Sequence, residues 1–219
     1  MNILKILLSI IVIIMVNFSL WRKWREEYLD KEIFGYSLFI TFLAGMGGII
    51  GAIAEAGKVY WGISGWGVVL ALFFGTGWWS KTHHWDWWET MDQVASVSAW
   101  MWLVLSLLSI GNPDYWIKVI FAGLGLVIAG YLKNNYRHIG WYKSGKMGLV
   151  SLVLLGWYAL TEITVAFITP VGIYWGGLKP GQWVSAYLAA FVIVNIYLRS
   201  GRKIREGFRW ILEGRHGKK

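Results

Sequence analysis

Cysteine is absent from the 219-residue chain. That excludes a disulfide, a thiolate metal site and a thiol nucleophile supplied by this polypeptide. Charge is also scarce: 15% of residues are charged against 57% hydrophobic, a balance that soluble domains of this size rarely reach. The last apolar stretch contains no lysine, which excludes a retinal Schiff base there. The four histidines, His83, His84, His138 and His216, fall in polar connections. No nucleophile–histidine–acid triad can therefore form inside the apolar part, and no metal site is expected.

What is present is long apolar runs. Crossing a hydrocarbon core of about 30 Å takes about 20 mostly apolar residues. Seven stretches meet that description, at 3–20, 33–54, 62–79, 94–110, 116–132, 147–169 and 182–198. The expected fold is an all-α integral membrane protein with seven transmembrane helices. Residues 1–198 form the membrane domain, and 199–219 form a basic cytoplasmic tail. Ile204, Phe208, Ile211 and Leu212 share one helical face of that tail, as in a helix lying along a membrane surface. The first stretch has no small-x-small site before its basic flank, so it is expected to be retained rather than cleaved.

Seventeen of the 21 basic residues lie in alternate connections and the tail. By the positive-inside rule this places the N-terminus outside and the C-terminus in the cytoplasm. The net charge of +9 thus fits anionic lipid headgroups rather than nucleic acid. The 17 tryptophans and 11 tyrosines fit the membrane–water boundary. The run His83-His84-Trp85-Asp86-Trp87-Trp88-Glu89 is expected to be an interfacial aromatic belt with polar tips. Gly45, Gly47, Gly48 and Gly51 in the second stretch, and Gly123, Gly125 and Gly130 in the fifth, suit close helix packing in lipid.

Ionisable residues within apolar stretches are few and costly. Glu162 lies past the middle of the sixth. Glu55 ends the second and Lys118 begins the fifth, both toward the outer side, where Asp114, Tyr174, Trp175 and Lys179 also fall. These residues are expected to form an outward-facing polar pocket, or else to be a hydrogen-bonded Glu162 with neighbours that reach water on their own.

Six segments in order resemble prolipoprotein diacylglyceryl transferases. They are Gly47-Gly48-Ile49-Ile50-Gly51-Ala52, Tyr60-Trp61-Gly62-Ile63-Ser64-Gly65-Trp66-Gly67, Trp88-Glu89-Thr90-Met91-Asp92, Ser109-Ile110-Gly111-Asn112, the stretch from Gly145 to Glu162, and Lys179-Pro180-Gly181-Gln182-Trp183-Val184-Ser185. The resemblance implies a seven-span enzyme of the bacterial inner membrane. Such an enzyme moves a diacylglyceryl group from phosphatidylglycerol to the cysteine thiol of a lipoprotein precursor, without a cofactor. Gly111, Asn112, Gly181 and Gln182 carry over, with Glu162 near the family's glutamate. The family's histidine falls near Gly65, and its arginines at Ile53, Ser109 and near Ala159. Lys118 and Lys179 are the cations left for the phosphate, with Asn112 as donor and Glu162 as base or orienting group. The alternative is a non-catalytic relative that binds lipid or a membrane partner.

Overall fold

A computed structural model describes residues 3–57, 63–107, 114–135, 138–139, 142, 144–168 and 174–200. Among these residues the chain is helical and has no β-strand, only one antiparallel bridge between Trp175 and Leu178. The helices are α1 (Ile3–Trp24), α2 (Asp30–Ala56), α3 (Gly65–His83), α4 (Trp87–Leu107), α5 (Tyr115–Asn135), α6 (Leu149–Ile168) and α7 (Pro180–Arg199). Each expected stretch has its helix. The amphipathic tail lies outside the described residues.

Four helices, α2, α5, α6 and α7, are long and apolar enough to cross a membrane. The chain therefore has the make-up of a membrane protein. The apolar density of α3 is diluted by Gly65, Gly67, Gly75 and Gly77, and that of α4 by Glu89, Asp92 and Gln93. Large apolar side chains point outward along the bundle, among them Leu38, Phe42, Phe74, Val127 and Ile193. A continuous exposed surface of that kind suits lipid rather than water.

Local chemistry sets the helix ends. Asp30 and Glu32 occupy the first turn of α2, where the helix dipole favours negative charge. The same helix closes on Gly57, whose φ of 63° lets its N–H turn back to the Ile53 carbonyl. Helix α7 begins at Pro180, which needs no N–H partner there.

Helix α6 is the central element, packed against α4, α5 and α7, with Leu149, Leu152, Ala159 and Thr161 among its buried residues. The most extensive pairing joins α2 to α3. It depends on glycine: a Cβ on Gly67 would lie 2.1 Å from the Gly47 carbonyl oxygen and 3.2 Å from Gly51 Cα. Close backbone approach is thus borne out for Gly47 and Gly51, while Gly48 makes room for the side chains of Ile63 and Val68. In α5 only Gly125 meets neighbours, the rings of Trp157 and Trp102; Gly123 and Gly130, like Gly45 in α2, face open space.

The helices run alternately up and down, so the ends of α2 and α6 meet the starts of α3, α5 and α7 at one pole. The opposite pole gathers Arg22, Lys23, Lys81, Lys133 and Arg199. It also holds an aromatic core. Trp85 is 6% exposed, with ring centroids 5.3 Å from Trp24, 4.1 Å from Tyr28 and 5.6 Å from Tyr36. This corrects the expectation of an interfacial belt at 83–89 for Trp85, whereas His84 and Asp86 are exposed. The turn after α3 is so short that it folds Trp85 back under α1 and α2 instead of leaving it at the surface. Trp78, Trp100, Trp116 and Tyr187 are exposed, as belt residues would be.

Candidate functional site

A cavity of about 220 Å³ opens at the pole where α2 and α6 end. Its walls carry Glu55, Asp114, Lys118, Glu162, Lys179 and Gln182. These residues are up to 127 positions apart in the sequence, and the antiparallel bundle brings them to one place.

Glu55 is in the last turn of α2, the unfavourable end of that helix for a negative charge. Its carboxylate reaches across the connection to the start of α3. Oε1 accepts the Ser64 hydroxyl at 3.0 Å and the Trp66 indole N–H at 2.6 Å. The approach of α7 closes over this pair, since a Cβ on Gly181 would lie 3.0 Å from Trp66 Cδ1 and 3.6 Å from the same oxygen.

Asp114 stands ahead of α5 and is 6% exposed. Lys118, one turn further on, holds it in an ion pair at 2.6 Å. Lys179 precedes α7, and its ammonium lies 5.9 Å from the centre of the Tyr174 ring. Gln182 uses its side-chain oxygen to accept the Lys179 N–H at 2.9 Å, which closes the first turn of α7.

Glu162 differs from all of these. It projects from the central helix and has no ion pair among the described residues. Lys118, Glu55 and Asp114 lie close enough to act on its charge. One helical turn earlier, Tyr158 places its hydroxyl beside Glu162. That hydroxyl is buried, and Glu162 is the polar group it faces. Gly65 allows this arrangement: a Cβ there would sit 2.5 Å from Tyr158 Oη and 3.4 Å from Glu162 Oε1. The cavity therefore holds three carboxylates and two lysines, and neither Glu55 nor Glu162 is in an ion pair among the described residues.

At the other pole Asp92 is fully occupied. It accepts the N–H groups of Gly148 at 2.6 Å and Ser151 at 2.8 Å, which secures the start of α6. Arg199 lies 4.1 Å over the Trp88 ring and donates to the Met147 carbonyl, so the end of α7 is tied to the same corner. Asp92 precedes the apolar run of α4. Burial holds its carboxyl above the ordinary value, and the Ser151 and Gly148 N–H groups and Arg199 only partly offset this.

Of the residues read from the sequence, Glu162, Lys118, Lys179, Gln182, Glu55 and Asp114 share the cavity wall. Tyr174 and Trp175 do not line it. Gly111 and Asn112 lie outside the described residues. Ser64, Trp66 and Tyr158 were missed. Tyr158 had a signal, being four residues before Glu162 on one helix, whereas a bond from Glu55 across a turn leaves none. Among the described residues no group of three histidines or carboxylates is arranged to hold a metal ion. No family model, curated protein or solved structure matches the chain.

Proposed function

We propose that this chain is a seven-crossing membrane protein, a divergent relative of prolipoprotein diacylglyceryl transferases, which admits a phospholipid headgroup into the Glu162 cavity. The convergence of Lys118, Glu162, Lys179 and Gln182 on one cavity is the observation that carries this reading. The resemblance nominated those residues separately. The gathering of basic side chains at the Asp92 pole favours that pole as the cytoplasmic one, which turns the cavity toward the outer leaflet of a bacterial inner membrane.

In the transfer reaction the thiol of a lipoprotein precursor attacks the glycerol carbon that bears the phosphate. A carbon–sulfur bond forms, the carbon–oxygen bond to the phosphate breaks, and the headgroup leaves as its phosphate ester. Glu162 takes the thiol proton. Lys179 and Lys118 face the phosphate, Lys118 by turning from Asp114. The test is a transfer assay on purified protein with phosphatidylglycerol and a cysteine-containing precursor peptide. Product above background is expected, with a fall of about 100-fold or more in Glu162→Gln and a smaller fall in Lys118→Met. No product above background would sink the enzyme reading.

A second reading, lipid binding without turnover, is favoured by the Lys118–Asp114 ion pair and by the absence of arginine among the described residues of the cavity wall. Lysine lacks the planar fork that grips a phosphate from two sides. Phospholipid that co-purifies with the protein while the transfer assay stays silent supports this second reading.

A further inference from the structure

The charge of the cavity is a poor match to a ligand that is only anionic. Three carboxylates face two lysines, and one lysine is already held by Asp114 at 2.6 Å. Glu55 uses Oε1 for Ser64 and Trp66, while its second oxygen accepts no hydrogen bond among the described residues. Glu162 is in no ion pair among them. The adjacent Tyr158 is buried behind the wall, and its hydroxyl sits against Glu162 without neutralising its charge. A carboxylate buried without a counter-charge is costly, so a cation beside it is expected in the working protein. The missing group is a cation with several N–H donors.

We infer that the cavity takes a phosphorylated primary amine, the zwitterion at the end of an ethanolamine-type phospholipid, with its ammonium between Glu55 and Glu162 and its phosphate toward Lys118 and Lys179. This rests on the lipid-binding reading and names its headgroup. An ammonium has three donors in a compact group. Glu55 and Glu162 offer it carboxylate oxygens from α2 and α6 on opposite sides of the cavity wall. A quaternary ammonium has no N–H to give them, and a glycerol headgroup leaves both carboxylates unneutralised. The volume of about 220 Å³ suits a headgroup and leaves the acyl chains outside, against the apolar helix faces.

Native mass spectrometry of the full chain in detergent tests this, with equimolar phosphatidylethanolamine, phosphatidylglycerol and phosphatidylcholine of matched chains. The ethanolamine lipid is expected to be retained over either competitor by about tenfold or more, the scale of one charge-assisted hydrogen bond. In the Glu55→Gln, Glu162→Gln double variant the preference for the ethanolamine lipid over the glycerol lipid should be lost. Lys118→Met should weaken all three alike. Free phosphoethanolamine is the second arm. If it displaces the lipid only at large excess, the ligand is membrane-borne. If it binds as tightly as the lipid, the same chemistry is met by a soluble source. Equal retention in the wild type, or a preference that survives the double variant, overturns the inference alone. Retention of no phospholipid and no phosphoethanolamine overturns the lipid reading with it.

Discussion

Asp92 and Glu162 are carboxylates at opposite poles of one bundle, and the two poles are built differently around them. At the Asp92 pole two backbone N–H groups meet the carboxylate at 2.6 and 2.8 Å. Rings of Trp24, Tyr36, Trp79 and Trp85 seal the neighbouring corner. At the Glu162 pole the backbones of α2 and α3 touch through glycine, and the space beyond stays open. Glu162 there lacks an ion pair among the described residues, and what faces it is a tyrosine hydroxyl rather than a cation. A charge whose bonds are all made within the protein is explained by stability. A charge left unanswered costs stability and persists where function needs it.

The largest expected effect breaks the frame of the open pole. Gly67→Val drives a side chain into the Gly47 carbonyl, 2.1 Å from where Cβ would stand. Neither backbone can yield, so the cost lies at or beyond the upper end of the roughly 1–3 kcal/mol usual for overpacking. Loss of a monodisperse peak in size-exclusion chromatography would show it. Next comes Asp92→Ala, which orphans the Gly148 and Ser151 N–H groups together. A loss of about 2–3 kcal/mol is expected, read as a drop of several degrees in the thermal midpoint in detergent.

A pH series sharpens the same pole. Because the folded Asp92 carboxyl is raised, the stability it contributes is complete below its ordinary value of 3.8 and is lost as pH climbs through the raised folded value. Wild-type stability should fall across that window, by about 1.4 kcal/mol for every pH unit that separates the two values. Thermal midpoints measured along the series should show that fall, and Asp92→Ala should lack it. The smallest effect is Gly123→Ala. Its Cβ meets nothing within 4 Å, so it should gain under about 1 kcal/mol of helix stability, in contrast to Gly67.

The helices were legible because apolar run length is a property of consecutive residues. All seven expected stretches have a helix, although α4 begins at Trp87, seven positions before its expected start. The polar wall was legible because alternate ends of antiparallel helices must share a pole, which puts Glu55, Asp114, Lys118, Glu162 and Lys179 together. Trp85 was not legible: exposed at a connection or folded beneath it, a tryptophan has the same sequence, and the difference lies in how a short turn bends. The grip of Asp92 on Gly148 and Ser151 spans more than 50 residues and has no periodic signature. The roles of Lys118 and Gln182 were read too simply. Each has a structural duty at a helix start, to Asp114 and to the Lys179 N–H, besides facing the cavity.

One paired measurement bears most directly on the contrast between the poles: the thermal midpoints of Glu162→Ala and Asp92→Ala in the same detergent. The account predicts opposite signs, with Glu162→Ala at or above the wild type by about 1 kcal/mol and Asp92→Ala well below it. A fall in Glu162→Ala as large as that in Asp92→Ala would contradict it, since Glu162 would then be holding the bundle together rather than waiting for a ligand.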